Sequence, residues 1–369
     1  MSKVLHYKTN FLNKSETFIH RLVSNHRQFE PAALCYRKRD FTDKLEVFEA
    51  PKTGLDGLLN TASFHLNLPL PYYRKIIRQL KPDVIHAHFG YDAQKLVSIS
   101  NSENIPLVVS FYGSDVSRLP SERGWKKRYK KLANDGSHFI AASEFMKNQL
   151  IALGFPKNKI SVIYFGLDLG DLIYSEKSFD NLTIMMAGRL VEKKGFEYAL
   201  KAIGMLSARG FEIAVSIFGD GPLLGKLKTL TVELGISHQV EFLGFCPVDE
   251  IIKAHDKHTL FLAPSVTAPD GDMEGLPNTI LEAMAKGTPV VSTSHAAIPE
   301  AIDHGTSGFI VNEKDPAVIS DIIENILKGM YDLKSISKNG RAVAEKKFNI
   351  KRMVQNVEEV YLNVRNSNR

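Results

Sequence analysis

The stretch Asp270-Gly-Asp-Met-Glu274-Gly-Leu-Pro277-Asn-Thr-Ile-Leu-Glu282-Ala-Met-Ala-Lys-Gly287, followed by Thr-Pro-Val-Val-Ser-Thr293, decides how the chain is read. It predicts a strand over Thr259–Ala263, a polar loop, a helix and a second short strand. Pro277 suits the first helical turn, where its missing amide costs nothing, and Gly287 closes the helix at a position tolerant of positive φ. Glu274 stands just before that helix, beside the amides of Gly275, Leu276, Asn278 and Thr279. Those amides and the positive end of the helix dipole form an anion site. Glu282, about two turns further on, is placed to reach a diol of the same ligand. A loop that grips both phosphate and sugar hydroxyls is a nucleotide-sugar site.

Working outward, Ala187-Gly188-Arg189-Leu-Val-Glu-Lys193-Lys194-Gly195 follows a predicted strand. A glycine and cations before a helix suit a diphosphate, with Arg as a bidentate fork and Lys as a point charge; Lys193 is expected to be only solvated. Phe218-Gly219-Asp-Gly221-Pro222 ends the next strand, and its glycines allow close backbone approach by a flat ligand. Leu243-Gly-Phe245-Cys246 ends the one after.

These phrases resemble the family 4 retaining glycosyltransferases, which have the GT-B fold and an E-x7-E signature matched by Glu274 and Glu282. The resemblance implies that Arg189 and Lys194, next to Gly188, neutralise the leaving diphosphate. It implies that Glu274 holds sugar hydroxyls and Glu282 the ribose, with Gly275, Leu276, Pro277 and Asn278 completing the donor loop. Gly219 and Gly221 are then near the nucleotide, and the backbone around Phe245 faces the base. Glu274, Arg189 and Lys194 are the expected catalytic set. No cofactor is implied; the nucleotide-diphosphate sugar is a substrate.

The length of 369 residues suggests two domains. Apolar residues at 44% and charged residues at 24% fit a globular protein. No run of about 18 apolar residues marks a membrane span, and Met1–Tyr7 reads as a first strand rather than a signal peptide. Cys35 and Cys246 stand far apart, without metal-type spacing, so a reduced cytoplasmic protein is expected. The net charge of +6 favours anionic partners.

Short β-type runs alternate with helical ones throughout, as in parallel, doubly wound sheets. In the first half, strands are expected near 3–7, 32–36, 84–88, 107–111, 138–141 and 160–163. Helices are expected over 16–28, 72–80, 93–100, 126–134 and 144–153. Phe165–Gly170 and Ser175–Asn181 read as the linker, and the pattern restarts at Leu182. The expected α/β architecture is therefore an N-terminal Rossmann-like domain over 1–168, a C-terminal one over 169–348, and a tail over 349–369. By the GT-B resemblance, the domains face each other across a cleft that takes acceptor on one side and donor on the other, and the tail crosses back to the first domain.

In the first domain, Lys14-Ser15-Glu16-Thr17-Phe18 opens a helix with Ser15 as a candidate N-cap. It also resembles the S-E-T-F-I element of bacterial exopolysaccharide glycosyltransferases, including the colanic-acid type, whose loop faces the cleft. His86 and His88 share one side of a strand, His86 reading as a buried residue and His88 as a cleft residue. Tyr112, in Tyr112-Gly-Ser-Asp115, stands where many relatives have a His that touches the donor sugar or acceptor. Gly113 and Asp115 match the family pattern and are expected to shape that loop. Asp270-Gly-Asp272 imitates a metal-binding D-x-D, but no metal is expected, because cations and a helix dipole already supply positive charge. The absence of a complete G-x-G-x-x-G argues against a nicotinamide dehydrogenase.

Arg118, Arg123, Trp125, Lys126, Lys127, Arg128, Tyr129, Lys130 and Lys131 form a basic segment. It reads either as a solvated helix face or as a surface for the anionic inner face of the plasma membrane; no nucleic-acid motif accompanies it. The resulting expectation is sugar transfer, with retention, from a nucleotide-diphosphate sugar to a glycan or polyprenyl-diphosphate-linked acceptor in cell-surface polysaccharide synthesis. A nucleotide-sugar epimerase or hydrolase of the same fold, or a non-catalytic sugar-nucleotide binder, are the alternatives.

Overall fold

Val84-Ile-His-Ala-His88 is buried at every position and forms the middle strand of a sheet covered on both faces. The computed structural model describes residues 1–11, 16–39, 45–66, 68–113 and 115–367, with the side chain of Thr17 outside the described set. Two compact units result: Met1–Leu167 with Ile350–Arg369, and Asp168–Asn349. The first boundary falls inside the Phe165–Gly170 stretch.

The sheet of the first unit contains β1 (Ser2–Tyr7), β2 (Phe29–Cys35), β3 (Glu46–Glu49), β4 (Val84–His88), β5 (Leu107–Phe111), β6 (His138–Ala141) and β7 (Ile160–Val162). Its order is β3-β2-β1-β4-β5-β6-β7, parallel throughout. The order reverses between β1 and β4, the switch point at which ligands gather in such sheets. Alternation along β1 sends Leu5 to one face, with Tyr73, Ile77, Leu96 and Leu132, and Val4 to the other.

That second face is covered by the Thr17–Ser24 helix and by the C-terminal helix Ile350–Ser367, whose Met353, Val357 and Tyr361 pack on Val4, Val84 and Val108. Each such side chain contributes roughly 1.5–3 kcal/mol when fully buried. The Ile350 amide donates to the Leu167 carbonyl. A Cβ on Gly166 would lie 2.5 Å from Ile350 Cα, so only glycine admits the helix there.

The second unit repeats the plan with β8 (Thr183–Ala187), β9 (Ala214–Phe218), β10 (Val240–Gly244), β11 (Leu260–Ala263), β12 (Val290–Thr293) and β13 (Phe309–Val311). These run parallel in the order β10-β9-β8-β11-β12-β13.

Several expected elements shift. The 16–28 helix is shorter, because after Ser24 the backbone turns so that the amides of Arg27 and Gln28 reach Glu358. The 93–100 helix is two helices, Gly90–Ala93 and Val97–Glu103. Between them Lys95 reaches back to Thr9 and lies 4.1 Å from the Phe64 ring centroid. The helix Gly54–His65 and the strand β3 were not expected. In that helix Leu55, Leu58 and Leu59 are exposed while Gly57 and Asn60 are buried, so no apolar stripe announces a core face. No helix among the described residues is long and apolar enough to cross a membrane.

Candidate functional site

In the second unit the candidate site gathers at the carboxyl ends of β8, β9, β11, β12 and β13. Gly188 follows β8 with φ 150°, Gly219 follows β9 with φ 145°, and a Cβ on Gly219 would lie 1.9 Å from the Gly188 carbonyl oxygen. The turns 188–190 and 219–221 are thereby locked together. The Leu190 amide donates to the Asp220 carbonyl at 3.0 Å, and Gly221 lies too close to the Leu190 carbonyl for any side chain.

Lys193 and Lys194 occupy a single helical turn, Glu192–Lys194, after β8. Lys194 Nζ lies 3.3 Å from Glu274 Oε2, and Lys193 Nζ lies 3.5 Å from Glu274 Oε1 and 3.1 Å from Asp272 Oδ2. Burial works against the charge on Glu274, but the two ammonium groups, Lys194 first, outweigh it and hold the carboxyl below its usual range. Lys193 is thus a structural partner of both carboxylates, not the solvated cation expected. Its bond to Asp272 also gives one half of the Asp270–Asp272 pair a protein partner.

The loop that carries Glu274 is fixed from behind. Its amide donates to His295 Nε2 at 3.0 Å, so the proton of neutral His295 resides on Nδ1. That proton is donated to Glu313 Oε1 at 2.6 Å, and Glu313 Oε2 accepts the Thr267 amide at 2.9 Å. His295 has no solvent exposure. His295 and Glu313 escape the sequence reading, because neither stands in a recognisable phrase. Their one signal is position, each two residues beyond the end of a strand, β12 and β13 respectively.

Pro277 is the N-cap of the helix Asn278–Ala285 rather than its first residue. Thr279 and Pro277 line a small cavity together with Lys194, which places the cation at the helix start. Asn278 Oδ1 and Asp272 Oδ1 are buried without a hydrogen-bond partner among the described residues. Buried polar atoms are normally paired, so an orphan at a helix start marks a place for a ligand. Glu282 is 5% exposed on the same helix. Phe245, just past β10, is 79% exposed, a large aromatic face left to solvent beside the Gly219–Gly244 turn contact. Arg189 differs from Lys194: it is exposed and forms no ion pair among the described residues.

In the first unit, Ser15 lies outside the described residues and Thr17 begins a helix. Glu16 pairs with the buried Lys8 at 3.0 Å. His88 is not a cleft residue: like His86 it is fully buried, stacked on His6 with centroids 5.2 Å apart. Just past the strand, Gly90 lies against the Phe111 ring and the Tyr129 hydroxyl, too close for a side chain. Asp115 is likewise fully buried, with its carboxylate taking the amides of Gly90, Tyr112 and Gly113. It shapes the loop, as expected, but offers no free oxygen as a cleft residue. Burial raises its pKa to about 6 despite those amides. Tyr112 is half-buried between Phe18, Phe89 and Phe165, with its hydroxyl 2.7 Å from His88 Nδ1.

Comparison with known proteins places this geometry. Residues 175–343 match the model for glycosyl transferases group 1, and residues 19–171 match that for glycosyltransferase family 4. The amylovoran biosynthesis glycosyltransferase AmsK of Erwinia amylovora is 35% identical over 272 residues, 72% of this chain and 67% of AmsK. The chain is a family 4 glycosyltransferase.

This glycosyltransferase is also similar to the putative colanic acid biosynthesis glycosyltransferase WcaL of Escherichia coli, at 32% identity over 74% of this chain and 69% of WcaL. Among solved structures, Anabaena Alr3699/HepE in complex with UDP superposes with a TM-score of 0.77 at 20% identity, covering 98% of this chain and all of that one. The lipopolysaccharide outer core galactosyltransferase WaaB, in its apo form, gives 0.73 at 17% identity, covering 98% and 99%. The glycosyltransferase therefore has the GT-B fold.

Proposed function

We propose that the second unit binds a nucleotide-diphosphate sugar and that the enzyme transfers the sugar, with retention of anomeric configuration, to a glycan or polyprenyl-diphosphate-linked acceptor. The process served is bacterial cell-surface polysaccharide synthesis. The observation that carries this reading is Lys194 held between the Glu274 carboxylate and the start of the Asn278–Ala285 helix. Relatives named for amylovoran and colanic acid biosynthesis support the process, and a structural neighbour in complex with UDP supports the donor class.

In this mechanism Lys194 and the amides of 275, 276, 278 and 279 stabilise charge developing on the departing diphosphate. Arg189, exposed on the 188–190 turn, folds over the phosphates. Glu274 exchanges part of its lysine pairing for sugar hydroxyls, Glu282 binds the ribose, and Phe245 stacks on the base. Lys193, Lys194 and the helix dipole supply the positive charge, so turnover proceeds without added metal. The acceptor meets the first unit at Glu16 and Tyr112. Lys126, Lys127, Lys130 and Lys131, all exposed on the helix Trp125–Asp135, rest on an anionic membrane surface. The enzyme is active at that cytoplasmic face.

Anomeric NMR of the products, with and without acceptor, tests the reading. Transfer to acceptor with the donor configuration supports it. Free sugar at equal rates in both reactions identifies a hydrolase, and inverted product removes the retaining mechanism.

A further inference from the structure

Three histidines lie end to end inside the first unit with a fourth packed beside them, and nothing in the transfer chemistry above uses them. From the C-terminal helix, Glu358 Oε1 meets His26 Nδ1 at 3.2 Å, and His26 Nε2 meets His6 Nε2 at 2.9 Å. His6 Nδ1 meets His88 Nε2 at 3.0 Å, and His88 Nδ1 meets the Tyr112 hydroxyl at 2.7 Å. A side branch joins Tyr361 of the same helix to His86 Nδ1, while His86 Nε2 meets Ser110 Oγ at 2.7 Å.

Proton counting gives the main branch a direction. The same Glu358 oxygen accepts the amides of Arg27 at 2.8 Å and Gln28 at 2.9 Å. Burial opposes its charge, but His26 and those amides outweigh it and bring the carboxyl to about 2. An ionised carboxylate only accepts, so His26 donates from Nδ1; if that is its one ring proton, it accepts at Nε2. His6 therefore donates from Nε2 and accepts at Nδ1, and His88 donates from Nε2 and accepts at Nδ1. Burial keeps the His6 and His88 rings neutral, their pKa values pushed far below the ordinary histidine range. Only one donor remains for His88 Nδ1: the Tyr112 hydroxyl.

We propose that Glu358 is a positioning residue which, through the fixed tautomers of His26, His6 and His88, commits the Tyr112 hydroxyl to donate inward. The phenol oxygen, itself buried, is then left as an acceptor for the Ser110 hydroxyl. Phe18, Phe89 and Phe165 fix the ring, so the hydroxyl proton is the only freedom the chain has to remove. The consequence for transfer, a Tyr112 ring held in one position on the acceptor side, rests on the acceptor reading of the first unit given above. A metal at this cluster is the rival arrangement, since ring nitrogens of His6, His86 and His88 lie within 4.8 Å of one another. Every one of those nitrogens already has a hydrogen-bond partner, which an ion would have to displace.

The test is long-range 1H–15N correlation on the full chain labelled at histidine, at pH 7.5, with His→Gln variants for assignment. The expected result is His26 protonated at Nδ1, His6 and His88 at Nε2, and His88 unchanged in Tyr112→Phe. A wild-type His88 protonated at Nδ1, an imidazolium signal in the chain, or stoichiometric zinc in the purified protein overturns the proposal. Glu358→Gln keeps the acceptor and should preserve the tautomers, whereas Glu358→Ala should show His26 in both forms. If Glu358→Ala does not fold, the wild-type and Tyr112→Phe spectra still decide.

UDP release from UDP-glucose supplies a second readout. Tyr112→Phe and Glu358→Ala should each lower kcat/KM, and the double variant should match Tyr112→Phe within about twofold, the signature of coupled positions. Independent, multiplying losses would reduce Glu358 to a packing role and overturn the proposal. A wild type that releases no UDP counts against the donor reading and leaves the tautomer measurement to decide this one.

Discussion

Lys194 Nζ stands 3.3 Å from Glu274 Oε2 while Lys193 Nζ stands 3.5 Å from Oε1, so each oxygen of one carboxylate has its own ammonium group. With Asp272 on Lys193, two cations face two carboxylates and the cluster is balanced. An arriving diphosphate competes with Glu274 for Lys194, and the displaced carboxylate is then free to turn to sugar hydroxyls. If Lys194 serves the leaving group, Lys194→Ala should lower kcat by about 10²–10³-fold, the usual loss on removing one transition-state donor. Steady-state kinetics on UDP release measures it; a change in KM alone would assign Lys194 to ground-state binding.

His295 acts on the same carboxylate at one remove, by holding the Glu274 amide. His295→Ala leaves that amide and the Glu313 carboxylate without their partner, a cost of about 1–3 kcal/mol. The expected outcome is a loss of about 10–100-fold in kcat/KM, with partial recovery in His295→Gln, whose amide can replace one bond. Equal losses in both variants with unchanged nucleotide binding would contradict a loop-holding role.

Acid should unfold the first unit early. The folded pKa values of His6 and His88 lie well below 6.5, and that of His86 is about 3, chiefly through burial. A histidine held neutral in the fold leaves stability intact above the unfolded value and loses it as pH falls toward the folded one. Glu358, lowered from 4.5 to about 2, loses its share over that lower interval. The melting temperature should therefore decline from pH 6.5 downward, and steeply below 4.5. Calorimetry at pH 7.5, 6 and 5 checks this; a flat melting temperature across those three would contradict it.

Changing Lys126, Lys127, Lys130 and Lys131 to Glu should abolish co-sedimentation with vesicles rich in anionic lipid. Each lysine contributes roughly 1 kcal/mol near such a surface, and Tyr129, Leu132 and Ala133 on the buried side of the helix are untouched. Undiminished binding would end the membrane reading.

Much of this was legible in the sequence, for reasons that differ by region. The β/α alternation survives because strands buried on both faces read as mainly apolar runs, as Leu260-Phe-Leu-Ala263 does. Lys194 and Glu274 were legible because they sit in short phrases beside glycines that the backbone cannot replace, such as Gly188. What failed was anything settled by burial at long range. His88 reads as a ligand-facing residue until His6, His26 and Glu358 close around it, the last two 332 residues apart in the chain. Lys193 reads as solvated until Asp272 arrives from the 268–272 turn.

Ligand-induced stabilisation by a panel of UDP-, GDP- and ADP-sugars, compared between wild type and Lys194→Ala, bears most directly on the diphosphate-binding claim. At about 100-fold excess over Kd a true donor stabilises the fold by about 2.7 kcal/mol, which shows as a melting shift of several degrees. The account predicts such a shift for at least one nucleotide sugar in the wild type and its near-complete loss in Lys194→Ala. An undiminished shift in the variant, or none across the panel in the wild type, would contradict it.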